Sequence, residues 1–351
     1  MRKKAKTQKK TNRDKRFGHL SKGERLALAE TVFIRYPRLK ELYTKIDFCR
    51  THSQIAAEPE CMLITGETGA GKTTLIEWYA GDFPIRETPK KLIVPVLVVT
   101  VPSPATVKGL ASAMLEALGD PASDKGAVSS LTLRLKNYIR DCAVELIFLD
   151  EFQHFDDRQS KNVLKTISDW LKNLINQTWR PIVLVGMPGC ESVLETKGNG
   201  QLKRRFSSRE QIAPFTWDPP DNIDEFRQLL KRIDDAMPLL KESHLAETST
   251  AFLIYSATDG VITFVMRLLR KAAALAIESG SEQIDHSILA QAYEERLAQH
   301  FKTRPNPFES QVDASQRKMA AKRAPRGIGA TSKRVKPRKR KPSMSEVLTH
   351  R

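Results

Sequence analysis

Twelve consecutive residues constrain this 351-residue chain more than any others: Leu63-Ile64-Thr65-Gly66-Glu67-Thr68-Gly69-Ala70-Gly71-Lys72-Thr73-Thr74. A short apolar run enters a glycine-rich turn, Lys-Thr follows, and a helical pattern runs on from Leu75 to Tyr79. Gly66, Gly71, Lys72 and Thr73 fall on the G-x-x-x-x-G-K-[ST] template. A polyphosphate needs several backbone N–H groups converging on it, and glycines let the chain curl tightly enough to aim them inward. The next helix begins at the phosphates, so its unpaired N–H groups and its dipole favour the anion. Residues 66–74 are therefore the expected nucleotide contacts: Gly66, Glu67, Thr68, Gly69, Ala70, Gly71, Lys72, Thr73 and Thr74. Lys72 reaches the β- and γ-phosphates of ATP, and the Thr73 hydroxyl holds Mg²⁺. A mere glycine turn would not need the strand and helix that flank it.

A second stretch, Leu146-Ile147-Phe148-Leu149-Asp150-Glu151, is an apolar run ending in two acids. In a parallel sheet, ligands lie at the carboxyl ends of the strands, which brings these acids to the nucleotide. Asp150 is expected in the Mg²⁺ shell, and Glu151 is expected to orient and deprotonate the attacking water. Between the two motifs, Lys90 to Val101 reads as a buried β-branched strand whose pairing begins after Pro95. Thr106–Leu118 and Val128–Cys142 follow as helices. One strand–helix unit plus a further helix suits a sheet in which another strand separates the two motif strands. A later strand, Ile182-Val183-Leu184-Val185, ends in Gly186-Met187-Pro188, where a polar sensing residue would ordinarily touch the γ-phosphate.

Before the first motif, a helical pattern from Ser21 and a second after Pro37 frame Ile34 and Tyr36, which are placed either beside the adenine or in ordinary packing. After the last core strand, expected at Glu210–Phe215, the composition of Asp218-Pro219-Pro220 reads as a hinge. Four helices then follow, over 223–236, 249–256, 262–278 and 286–301, and form a lid. Arg267, and more distantly Arg270, are the lid arginines placed to sense nucleotide. Arg205, preceding Phe206, is the expected catalytic finger, with Arg204 second; surface charge or DNA contact is the alternative for both.

The fold class is thus α/β: a P-loop parallel sheet sandwiched by helices, a small all-helical lid and disordered basic tails. The expected divisions are 1–18 (arm), 19–217 (ATPase core), 218–301 (lid) and 302–351 (tail). The formal charge of +17 is concentrated in the tails, with +8 in residues 1–16 and +12 in residues 301–351, and the middle is nearly neutral. Basic arms on a neutral globule fit nucleic acid better than a merely solubilising role. Cys49, Cys61, Cys142 and Cys190 are scattered without C-x-x-C spacing, as in a reduced cytosolic protein without a zinc site. No apolar run reaches the length of a membrane span.

The order of motifs resembles the AAA+ ATPases, and the detail is similar to the TniB/TnsC family of transposition regulators. The resemblance covers about residues 20–300. It rests on Phe33-Ile34-Arg35-Tyr36-Pro37, the two motifs with the tail Phe152-Gln153-His154, the strand end Val183–Pro188 and Arg205-Phe206. It implies a cytoplasmic, nucleoid-associated bacterial protein that uses ATP and Mg²⁺ to assemble on double-stranded DNA as a ring or filament. It further implies recruitment of a transposase or integrase and of a target-selecting protein of the TniQ type, with no membrane partner. In such assemblies DNA is touched by the loop after the second strand, here Thr100 to Lys108, with Ser103, Thr106 and Lys108 as candidate contacts. A replication-initiator or helicase-loader ATPase remains an alternative, as does a signalling or secretion-associated ATPase. The DEAD-like Asp150-Glu151-Phe152-Gln153 lacks the second ATPase core that a helicase of that type needs.

Overall fold

The unbroken apolar runs assemble side by side into one five-stranded sheet in which every neighbouring pair is parallel. The computed structural model describes residues 12–89, 91–155, 161–195 and 200–309. Its strands are β1 (Met62–Gly66), β2 (Arg86–Glu87), β3 (Leu92–Ile93), β4 (Val96–Thr100), β5 (Leu146–Asp150), β6 (Ile182–Gly186) and β7 (Ser208–Ile212). The helices before β6 are α1 (Asn12–Phe17), α2 (Lys22–Thr31), α3 (Pro37–His52), α4 (Lys72–Gly81), α5 (Val107–Ala117), α6 (Val128–Asp141) and α7 (Lys161–Thr178). Those after it are α8 (Gly200–Arg205), α9 (Pro220–Ala236), α10 (Thr248–Thr258), α11 (Ile262–Ser279) and α12 (His286–Arg296).

The sheet order is β4-β5-β6-β1-β7, so a strand does separate the two motif strands, and it is β6. Successive strand residues face opposite sides. Leu63, Ile147, Leu149 and Leu184 face a cluster with Leu110, Leu135 and Leu171 of α5, α6 and α7. Phe148 faces the other way, edge-on to Tyr79 of α4 at 5.7 Å between ring centroids, and Tyr79 meets Tyr43 of α3 at 4.9 Å. Both faces are therefore covered, which explains why β1, β5 and β6 are apolar without alternation. The edge strand β7 reads Ser-Arg-Glu-Gln-Ile and is only half-buried, a polar rim that discourages further pairing.

Several segments depart from the sequence expectations. Within Lys90–Val101, residues before Pro95 leave the sheet and pair antiparallel with β2, while β4 begins just after it. Pro95 has no N–H to offer the ladder, but its carbonyl accepts from Glu145 N at 2.8 Å. The last core strand lies at 208–212 rather than 210–215, because its register runs from Met62↔Ser208 to Gly66↔Ile212. Phe215 instead packs against Tyr36 and Phe226. The stretch expected as a free N-terminal arm contains α1, which buries Phe17. Arg13 pairs with Asp234 of α9 at 3.0 Å, and Arg16 donates to Asp235 O at 3.2 Å. The expected tail likewise starts with order: Asn306 Nδ2 donates to Ala290 O at 3.1 Å, and Arg304 pairs with Asp259 at 2.6 Å. These basic residues are ordered because acids and carbonyls of the lid meet them. Residues 1–11, the Lys333–Lys341 run and Ser345–Leu348 lie outside the described residues.

The lid helices α9 to α12 belong to the same compact unit as the sheet, which ends at Glu309. No described helix is long and apolar enough to cross a membrane.

Asp234 is 1% exposed and accepts from Ser243 N at 3.2 Å and Leu245 N at 3.3 Å besides Arg13. Asp234→Ala leaves those groups unpaired and should cost about 2–4 kcal/mol in chemical denaturation, with α1 losing amide-exchange protection.

Candidate active site

β1 ends at Gly66, and the chain turns through Glu67–Gly71 into α4, whose first residue is Lys72. Gly71 stands at φ 93°, a left-handed conformation that glycine adopts without the strain a Cβ would bring. Lys72 is buried, and its Nζ donates to Gly66 O at 2.7 Å and to Glu67 O at 3.1 Å. The ammonium thereby spans the mouth of the loop, where an anion would draw it.

Thr73 Oγ1, on the first turn of α4, donates to Asp150 Oδ2 at 3.2 Å, although β6 lies between β5 and the strand β1 that leads into the loop. A hydroxyl and a carboxylate are hard oxygen donors, and Mg²⁺ is characteristically held by one or two such groups plus water and phosphate oxygens. The residues present therefore fit Mg²⁺. Asp150 is 5% exposed, and burial pushes its carboxyl up; the Glu151 N–H, which donates to its Oδ1 at 2.8 Å, and the Thr73 hydroxyl pull it back.

Glu151 stands at φ 57°, the left-handed region that costs a non-glycine residue about 1–3 kcal/mol. Its N–H is held by Asp150 and its carbonyl accepts from His154 N at 3.1 Å, so both sides of the residue are pinned. Gln153 Nε2 donates to its Oε2. The 3-10 turn Phe152–Phe155 carrying Gln153 is anchored by Phe152 and Phe155, both fully buried.

Ile34, Tyr36, Gly71, Thr74 and Arg267 line a single cavity of ≈ 420 Å³. It is walled by the segment between α2 and α3, by the start of α4 and by α11. Tyr36 also packs edge-on to Phe215 at 5.4 Å, and burial raises its phenol pKa. Arg267 Nη1 donates to His300 Nε2 at 2.8 Å, which assigns the ring proton to Nδ1. Arg270 lines the cavity too; its Nη2 donates to Val32 O at 2.8 Å, while its buried Nε has no partner. Thr263 N, at the start of α11, donates to Gly69 O at 3.3 Å, joining the lid to the phosphate loop.

Other candidates lie elsewhere. Arg205 ends α8, and its carbonyl accepts from Cys61 N at 2.9 Å, at the amino edge of β1. A five-residue strand of roughly 3.3 Å per residue separates that edge from the phosphate loop. Arg205 is half-buried with Nη1 unpartnered, and Arg204 pairs with Glu58 at 3.2 Å on the surface. Ser103, Thr106 and Lys108 are exposed on the loop beyond β4, and Val101 N donates to Asp150 O at 2.9 Å. Thr106 also caps α5, its Oγ1 accepting from Gly109 N at 2.9 Å.

Thr263 stands one turn before Arg267, where the sequence leads one to expect the sensing arginine, and it is its N–H that reaches the loop; sequence reasoning gave no role to Gln153 or to two further cavity cations, Lys271 and Arg296. The bare tip of β6 was the one available signal for Gln153; α11 and α12 gave none for the cations, because ordinary helix surfaces are also basic.

Residues 25–216 match the family description "Bacterial TniB protein". No curated protein sequence matches significantly. Among solved structures, the Aeropyrum pernix ORC2 protein in its ADPNP-ADP complexes is similar at 16% identity and TM-score 0.54, over 79% of this chain and 74% of that one. Cdc6p from Pyrobaculum aerophilum is similar at 15% identity and TM-score 0.55, over 80% and 74%. The Aeropyrum pernix ORC1 protein in complex with DNA is similar at 18% identity and TM-score 0.51, over 80% and 72%. The sheet and helices are those of the AAA+ P-loop ATPase fold.

Asp150→Asn removes a buried charge but keeps the shape. A carboxyl whose folded pKa is raised costs stability once pH climbs above its unfolded value, so this variant should melt about 1–3 °C higher than the parent at pH 7.5 without nucleotide or metal. The gain should vanish as pH falls toward the ordinary carboxylate range, read by calorimetry.

Proposed function

The chain belongs to the TniB family, and from that premise we propose that it hydrolyses ATP, assembles with copies of itself on duplex DNA and there recruits a transposase or integrase. One observation carries the reading: Thr73 and Asp150 meet at 3.2 Å beside the buried Lys72, with Glu151 next in the chain. These are the groups that bind phosphate, hold a hard cation and accept a proton, gathered at the carboxyl ends of parallel strands.

In this reading the loop N–H groups from Gly66 to Thr74 cradle the phosphates. Lys72 Nζ exchanges its two carbonyl partners for β- and γ-phosphate oxygens. Mg²⁺ held by Thr73 and Asp150 supplies neutralisation of phosphate charge. Glu151 accepts a proton from water as the water oxygen bonds to the γ-phosphorus; the bond to the bridging oxygen breaks, giving ADP and phosphate. The adenosine occupies the cavity beside Ile34 and Tyr36, with Arg267 above it.

The Arg205 carbonyl bonds at the amino edge of β1, the end of that strand away from its own phosphate loop, and in this reading the side chain serves the nucleotide of a neighbouring copy. That arrangement makes ATP the joint between subunits. The exposed Ser103, Thr106 and Lys108 meet the DNA backbone. The basic terminal segments add sequence-independent attraction. A target-selecting protein of the TniQ type brings the assembly to its site, and hydrolysis lets the subunits part.

Glu151→Gln should keep ATP and DNA binding while slowing phosphate release about 100-fold or more, leaving assemblies on DNA that electron microscopy detects. Lys72→Ala should abolish ATP-dependent DNA binding, and wild-type binding by this variant would refute the proposed joint. Lys108→Ala should weaken DNA binding about 2–5-fold and flatten the plot of log affinity against log salt by about 0.9 for each phosphate left without its cation; an unchanged slope removes Lys108 from the interface.

A further inference from the structure

Gln153 occupies a position that its chain neighbours do not explain. Its Oε1 accepts from Met187 N, at the tip of β6, at 3.0 Å. Its Nε2 donates to Glu151 Oε2. The two partners fix the carboxamide: a backbone N–H requires the oxygen end, and the Glu151 oxygen then takes the NH₂ end.

The tip of β6 is shaped for this contact. A Cβ on Gly186 would lie 3.0 Å from Gln153 Oε1, 3.3 Å from Gln153 N and 3.0 Å from Cys190 Sγ. A Cβ there would oblige the carboxamide and the Cys190 thiol to give way by a few tenths of an ångström. Gly186 and Met187 stand where a polar side chain would ordinarily face the phosphates, and the polar group is instead delivered from the neighbouring turn. That turn is stiff, since Phe152 and Phe155 are buried and His154 Nδ1 bonds with Val101 O at 2.9 Å.

We propose that Gln153 is the positioning residue of Glu151, holding its carboxylate against the end of β6 so that the base faces the water in one orientation. In this role Gln153 acts through Glu151, to which its carboxamide is bonded. The inference rests on the reading of Glu151 as the base. It makes the orientation of the base depend on β6, the strand between the two halves of the phosphate site. A displacement of Met187 relative to β5 would release the carboxylate.

The test uses the full chain with saturating DNA, ATP and Mg²⁺. Gln153→Glu is isosteric: it fills the same slot and still accepts from Met187 N, but it turns an oxygen toward Glu151 in place of NH₂. Its kcat should fall about 10-fold or more, with KM for ATP and affinity for a non-hydrolysable ATP analogue within about 2-fold of the parent. Gly186→Ala should cause a similar fall by crowding Oε1. The double variant should be no slower than the slower single one, because both remove the same interaction. Wild-type kcat in Gln153→Glu and Gly186→Ala, beside an inactive Glu151→Gln, overturns the positioning role and leaves the base in place. Normal turnover in Glu151→Gln removes the base itself, and this inference with it. A fall in kcat matched by weaker analogue binding and a lower melting temperature assigns Gln153 to structure alone and also overturns the proposal.

Discussion

The contact on which the rest of the molecule depends joins Thr73 to Asp150 over the end of a strand that belongs to neither. Neighbouring strands lie about 4.8 Å apart, so residues two strands apart are separated by roughly 10 Å of sheet. Their side chains meet at 3.2 Å because the chain leaves β1 at Gly66 and turns into α4, whose first turn carries Thr73 to the carboxyl end of β5. At the tip of the intervening β6, the missing side chain of Gly186 leaves room for Gln153.

The cavity beside this contact depends on a second set of constraints. Its walls come from residues far apart in the chain, and polar bonds hold them to one another. Arg270 reaches Val32 O, and Thr263 N reaches Gly69 O. Arg25, buried in α2, donates to Pro238 O at 2.9 Å and pairs with Glu282. The N-terminal helices are thus bonded to the lid as well as to the core. Whatever moves the lid also moves Ile34 and Tyr36 at the cavity wall. Burying Arg25 and Asp234 is tolerable because each is met by several partners, whereas either alone would be costly in a low-dielectric interior.

The charge distribution has a different character at its two extremes. The net positive charge reads along the chain as two tails, but part of each serves the fold. Arg13, Arg16 and Arg304 bond to lid acids or carbonyls. Low hydrophobicity alone did not reveal this, because the acids that order these residues lie more than two hundred positions from the first two and forty-five from the third. Charge counts describe a chain's attraction for nucleic acid better than they describe which residues remain free to act on it.

Residue patterns along the chain are enough to specify the phosphate loop, the acid-tipped strand, a further strand between them and the helical segment that follows the sheet. These follow from local rules: glycines where the backbone must curl, unbroken β-branched runs where both sheet faces are covered, and apolar residues on a helical period. Long-range contacts alone establish that Ile34, Tyr36 and Arg267 share one cavity, that α1 is ordered, that β7 starts at Ser208, and that Gln153 reaches the tip of β6. Each of those depends on register or on a polar pairing between distant segments. A residue's local propensity carries no record of the partner that will satisfy it. Gln153 has the same propensity in any helical turn; Met187 N and the missing side chain at Gly186 give it a role.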